Sequence, residues 1–338
     1  MRIKRRLPIL FGVVLVAAAV AVVVVLRKHA PPEPARLLPG ADGFVYFNLK
    51  WIRRTELTGQ LPPVPHDPEY EQFIQQTGFQ FERDLDQAAF AIHYPSSLPK
   101  TKGSPPLETR YSEVFVGRID GNRLRAYLQK IASAVENYKS LDIYAIPLEG
   151  RTLRVVILGP DTVAASNHPD PDVIHGIIDR SRKLASPFGG PALLRQYYKQ
   201  VPFASLAWAI FRVQPGNEPG SSGPFGISFL FSQPAVMVVS GRYLGAVHLR
   251  AEAFAGSPEE AQNVTQKATT FLSIFHTAES SVTQHGTDPD VKKFFDSLKV
   301  RQAGDRAVLT AVMPPGFLRK AISGPPPETG QSSDGAPK

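Results

Sequence analysis

The sequence contains no cysteine. Disulfides, thiolate metal sites and lipid attachment through an N-terminal Cys are therefore excluded. Acidic residues are absent before Glu33. Also missing are a Gly-x-Ser-x-Gly elbow, a phosphate loop, a dinucleotide fingerprint and a His-Glu-x-x-His helix, so no cofactor is implied.

The second absence frames a strong positive signal. From Ile9 to Leu26 there is no charged or hydrogen-bonding side chain, and 13 of these residues are Val, Leu, Ile or Phe. As a helix the segment covers roughly 27 Å of a hydrocarbon core about 30 Å thick. Arg2, Lys4, Arg5 and Arg6 precede it and only Arg27 and Lys28 follow closely, which predicts a cytoplasmic N-terminus and an exported remainder. A cleaved signal peptide is the rival reading, but apolar residues continue for seven positions beyond Ala17-Ala18-Ala19 and Pro31 blocks the next cut. The expectation is a basic leader over 1–6, an anchor over 7–26 and a single-pass protein of the cytoplasmic membrane.

The net charge of +8 follows from this arrangement. Residues 1–28 hold six of the 38 Lys and Arg and no acid, leaving 32 basic against 30 acidic groups, a net of +2. The basic excess belongs to membrane topology, and nucleic acid is not an expected partner. Pro31-Pro32-Glu33-Pro34 reads as part of an extended stalk over 27–39, and 324–338 as a disordered polar tail.

Between them, 32 prolines and 26 glycines punctuate many short elements. Strands are expected at 44–49, 88–94, 113–119, 142–148, 153–158 and 162–166. Leu124, Tyr127, Leu128, Ile131, Val135 and Tyr138 recur at helical spacing and predict one helix on one sheet face. A second set comprises strands at 204–213, 226–231, 235–240, 243–254, 300–302 and 307–313, with helices at 191–201, 258–279, 289–298 and 315–322. On 243–254, Val247, Leu249, Ala251 and Ala253 alternate with His248, Arg250 and Glu252, which predicts a sheet wet on one side. The fold class is α+β, with antiparallel sheets each packed by helices on one face. Two halves, 40–186 and 187–323, share the order strands, helix, strands without a residue-level repeat; duplication is one reading of this.

The most conspicuous motif is His168-Pro-Asp170-Pro-Asp172-Val-Ile-His175, which offers zinc or manganese ligand types. Helix capping explains it better: Asp170 can cap free amides, Pro171 can open the helix and Asp172 favours the positive end of the dipole. Asp67-Pro68-Glu69, Ser257-Pro258-Glu259-Glu260 and Asp288-Pro289-Asp290 repeat the grammar. His276 and Glu279, one turn apart with His285 beyond, read as a solvent-facing set. Ser97-Leu-Pro-Lys100 spells Ser-x-x-Lys, but Pro99 opposes the helix that chemistry needs. Tyr197, Tyr198, Lys199 and Trp208 could stack on a ligand, though Tyr197 and Trp208 fit apolar stripes of the core. Asn263-Val-Thr265 is a glycosylation sequon that matters only in a eukaryotic secretory pathway.

Three stretches resemble bacterial membrane-anchored proteins of the DUF3352 type. These are Leu38-Pro39-Gly40-Ala41 through Tyr46 after the anchor, Thr77-Gly78-Phe79 through Asp84-Leu85-Asp86, and Ser297-Leu298-Lys299-Val300 before the apolar run Ala307–Met313. The resemblance implies no catalytic residues, because that family has no assigned activity.

The leading expectation is a non-enzymatic envelope protein whose partner is another envelope protein or a wall component. No catalytic, cofactor or metal residue is assigned. The alternative is an outer-face hydrolase, metal-assisted, built from distant residues such as His93, His168, His175 and His248. A third reading is a subunit of a larger complex, with Ala17, Ala18, Ala19 and Ala21 allowing close helix approach.

Overall fold

The computed structural model describes residues 30–55, 66–95, 108–182, 189–215, 226–282 and 289–323. The leader, the anchor, the Ser97–Lys100 motif and the polar tail lie outside the described residues. Among the described residues no helix is long and apolar enough to cross a membrane.

Twelve strands form one antiparallel sheet where separate sheets were expected. They are β1 (Gly43–Phe47), β2 (Leu85–His93), β3 (Arg110–Gly117), β4 (Ala134–Tyr138), β5 (Leu141–Leu148), β6 (Arg151–Ile157), β7 (Thr162–Ser166), β8 (Ala207–Val213), β9 (Ala235–Tyr243), β10 (Val247–Phe254), β11 (Lys299–Ala303) and β12 (Arg306–Met313). The order is β11-β12-β10-β9-β8-β1-β2-β3-β7-β6-β5-β4. Outward from the central β1–β8 pair, each arm is a three-strand meander followed by strands that return from the far edge. The first arm returns with four strands and the second with two.

The helices are α1 (Glu33–Leu37), α2 (Leu49–Ile52), α3 (Pro68–Thr77), α4 (Phe81–Asp84), α5 (Gly121–Ile131), α6 (Asp172–Arg182), α7 (Ala192–Tyr197), α8 (Pro258–Val282), α9 (Pro289–Ser297) and α10 (Pro315–Ser323). They cover both sheet faces, not one. Under α1, α6 and α7 lies the main core, where Leu38, Phe44, Val114, Ile177, Leu194 and Ile210 are buried together. On the opposite face, α5 packs over Tyr144, Val155, Val163 and Ala165, and α8 packs over Phe211, Met237 and Ala307. The inner strands are therefore apolar on both sides. Phe44 and Tyr46 of β1 face one layer while Val45 faces the other.

Three expectations change. The stretch read as a stalk is part of the core: Glu33–Leu37 is helical, and Pro31, Pro34, Ala35, Leu37, Leu38 and Pro39 are buried. Arg180 Nε fixes it by donating to the Leu37 carbonyl over 2.7 Å. The helix expected to run through Tyr138 stops at Ile131, and residues 134–138 form the edge strand β4. There Ser133 donates its amide and hydroxyl to the Ala145 carbonyl, and the positive φ angles of Lys139 and Ser140 close a tight hairpin onto β5. A strand edge in need of partners outcompetes the helical periodicity. Residues 226–231, expected as a strand, instead include a 3-10 turn at Ser228–Leu230.

The face of β10 expected to be wet is covered at Glu252, which is 3% exposed. Arg250 and Arg306 pair with its carboxylate at 2.6 and 3.0 Å. Two glycines are fixed by geometry: Gly78 ends α3 with φ 73°, and a Cβ at Gly117 would lie 2.4 Å from the Asp84 carbonyl oxygen.

Because Leu38 is fully buried in the main core, Leu38→Ala should lower unfolding stability by about 3 kcal/mol. Urea titration of the full chain checks this; a stalk residue would cost nothing measurable.

Candidate functional site

Helix α5 begins at its Asp120 cap, whose carboxylate accepts from the Asn122 and Arg123 amides. It turns Leu124, Tyr127, Leu128 and Ile131 toward the sheet, and the face below spans β3, β7, β6 and β5. Four strands occupy about 19 Å, whereas one helix with its side chains covers about 10–12 Å. The shortfall leaves a cavity of about 470 Å³ between α5, the sheet and the aromatics of α3 and α4.

Its walls are apolar almost throughout. Phe73, Phe79 and Phe81 close one side, with Phe73 ring-stacked on Phe81 at 5.7 Å and edge-on to Tyr127 at 5.4 Å. Phe115, Val155 and Val163 form the floor, and the exposed Phe81 and Leu148 mark its rim.

Two carboxylates interrupt this surface, and one of them, Asp120, is engaged as the cap of α5. Glu113 of β3 lines the cavity two residues before Phe115, and among the described residues its carboxylate has no hydrogen bond or ion pair. Burial alone raises its pKa above the usual 4.5. Tyr144, packed with Leu128, Val155 and Val163 nearby, has a buried hydroxyl with no hydrogen-bond partner among the described residues. A lone carboxylic acid in an apolar cavity can receive the donor or cationic head of a ligand whose remainder is hydrocarbon. The signal in the sequence was an acid two residues before Phe115, on the same face of β3.

The motif residues lie elsewhere. Asp170 accepts from the Asp172 amide at 2.9 Å at the start of α6, a capping role. His168 and His175 have different partners: the His168 ring lies 5.1 Å from that of His93, while His175 Nε2 is 2.8 Å from Glu136 Oε1 and its ring stacks on Tyr138. Beside His93, the Ser112 and Ser166 hydroxyls form a short chain across β3 and β7. Burial depresses the His93 pKa to about 4, with His168 adding to the effect. Ser112 is fully buried, so this chain presents no nucleophile to solvent. His248 is on β10, four strand spacings from β2, roughly 19 Å. Among the described residues no group of three or more His, Asp or Glu is placed to hold a metal ion.

Other capping motifs serve as expected in part. Asp67 accepts from the Tyr70 amide and Ser257 from the Glu260 amide. Glu260 does not complete a box; it accepts from the Ser232 amide. Asn263 is exposed on α8. His276 and Glu279 fall on the last turns of α8, but their side chains, and His285, lie outside what is described. Trp208 is buried against Tyr46 and Tyr198, with ring centroids 5.5 and 5.3 Å away. Burial pushes the Tyr198 hydroxyl up to about 12. Tyr197 packs edge-on to Phe254.

No family model matches the chain. A search of curated proteins also gives no match. Solved structures do align: crystal form III of TP0453 at TM-score 0.48 and 10% identity, over 87% of this chain and 98% of the other, and form IV at 0.47 and 8%, over 87% and 97%. Form I aligns at 0.44 and 10%, over 87% and 97%. At such identity the similarity concerns backbone course, not side-chain chemistry.

A half-buried acid with no hydrogen bond or ion pair costs stability when ionised. Its raised folded pKa means the native state holds the proton more tightly than the unfolded chain, so stability falls as pH rises from 4.5 through the folded value. Glu113→Gln should therefore be more stable than the parent by about 1 kcal/mol at pH 7. It should show no advantage below pH 4.5, and urea midpoints across pH report the difference.

Proposed function

We propose that this chain is a membrane-anchored extracytoplasmic binding protein that holds an amphiphile in the cavity under α5. The observation that carries this reading is Glu113, a carboxylate with no hydrogen bond or ion pair among the described residues, in a pocket whose other walls, apart from Thr77 and the capping Asp120, are aromatic and aliphatic. Hydrocarbon fills the volume between Phe73, Phe115, Tyr127 and Val163, and an amine or other donor on the ligand completes Glu113. The partner class expected from sequence, an envelope component, narrows to one that presents an apolar chain or apolar side chains with a donor at the head.

Placement outside the cytoplasm rests on the uninterrupted apolar run Ile9–Leu26 and on the four cations before it against two after. Alkaline phosphatase fused after Lys338 should be active in intact cells and should sediment with membranes at alkaline pH. Activity confined to the cytosol overturns the orientation.

The binding reading has its own test. The full chain in lipid vesicles is irradiated with a long-chain alkylamine carrying a photoreactive diazirine, and labelled peptides are mapped. Label should fall on segments containing Phe115, Tyr127 or Val163. It should be lost in Ala165→Phe, which fills the cavity, and weakened in Glu113→Gln, which retains the volume. Label confined to the anchor in all three proteins overturns the reading.

A further inference from the structure

We infer that the end of the sheet carrying Trp51, Phe203 and Leu244 rests in the interfacial layer of the bilayer that holds the anchor, so that the domain lies flush on lipid instead of standing away from it. The inference builds on the anchored reading above and adds a second, peripheral contact with the membrane.

One rung of the central sheet gathers the three residues. The Asn48 amide donates to the Leu206 carbonyl at 2.7 Å, and the Leu206 amide donates to the Gly241 carbonyl at 2.8 Å. Trp51 lies three residues after Asn48, Phe203 three before Leu206, and Leu244 three after Gly241. All three connections leave the sheet at the same end. Their apolar side chains are strongly solvent-exposed, at 54%, 69% and 66%. Large apolar side chains clustered at one edge of a fold mark a surface that meets something apolar, and aromatics are favoured at the headgroup level of a bilayer.

Charge agrees. Segments 48–55, 198–206 and 240–247 contain Lys50, Arg53, Arg54, Lys199 and Arg242 and no acid. Asp86 faces them and pairs with Arg53 at 2.5 Å and with Lys50 at 3.7 Å. Arg54 lies over the Trp51 ring at 5.2 Å. Cations ringing exposed aromatics match the phosphates of anionic lipids above an acyl boundary.

The course of the chain selects lipid as the occupant. Ala30 lines a pocket of about 400 Å³ together with Asn48, Phe203 and Ser205, so the chain enters the fold at this same end. Residues 27–29 alone separate the last apolar position of the predicted span, Leu26, from Ala30. Fully extended, that connection reaches at most about 14 Å. Residues 31–39 add no slack because they are built into the core. The headgroup layer on each side of a bilayer is about 5–8 Å deep, so the aromatic end of the domain cannot leave its neighbourhood.

The test uses the full chain in vesicles of phosphatidylcholine with phosphatidylglycerol. The protein has two tryptophans, and Trp208 is buried; emission from Trp51 should be quenched by brominated lipid, with the quenchable part lost in Trp51→Phe. With no native cysteine, Phe203→Cys and Leu244→Cys can each carry a polarity-sensitive thiol probe. Both should report an apolar environment, whereas the probe at Tyr111→Cys, at the opposite end of the central strands, should report water. A chain that floats with the vesicles but whose Trp51 resists brominated lipid, with probes at 203 and 244 in water, overturns the docking and leaves the anchor standing. A chain that does not float overturns both.

Discussion

Val45 of β1 and Ala209 of β8 face each other across an antiparallel ladder, and that ladder joins the two arms of the sheet. Every other strand is placed by counting outward from it. Its strands are buried on both faces except at Phe47 and Arg212 near their ends, which is why they are otherwise apolar and why helices must lie on both sides. Joined there, the arms share one main core beneath α1, α6 and α7. The outermost strands protect the edges in different ways: β11 carries Lys299 and Arg301, and β4 is short, exposed and tied by Glu136 to His175.

The arms repeat an order of connections but are unequal in width, and this inequality locates the cavity. In the second arm the 25-residue α8 crosses two returning strands and contacts β11 and β12. In the first, the 11-residue α5 lies over β3, β7, β6 and β5. The uncovered strip is the apolar space in which Glu113 stands. Glu113 is half-buried there, with no hydrogen bond or ion pair among the described residues. By contrast, Glu252 has two arginines, and Asp84 has Arg83 and Arg118.

Residues 31–39 connect fold to placement. As a free stalk they would let the domain sample the space above a membrane. With Leu37 and Leu38 in the core, they are held in place, and Ala30 before them lies at the end of the sheet that carries Asn48 and Phe203. Four prolines within 31–39 suggested extension, yet Pro34 is accommodated inside α1 because a proline in the first turn of a helix loses no hydrogen bond.

Some of this architecture was legible from local chemistry. The α+β class, most strand positions, the caps at Asp67, Asp170 and Ser257, and the burial of Trp208 follow from periodicity and from side chains that bond to nearby amides. Such interactions are complete within a few residues, so a linear reading reaches them. The fusion of two strand sets into one sheet was not legible, because nothing in 43–47 or 207–213 names its partner; that is decided by burial across about 160 residues of intervening chain. The helix expected through Tyr138 gave way to β4 for the same reason, a waiting strand edge. The cavity and the isolation of Glu113 are likewise products of assembly, since whether a carboxylate has a partner depends on which side chains three dimensions bring near it. What the sequence by itself determined are the elements and their caps; which faces meet, and what space they leave, was decided by the packing.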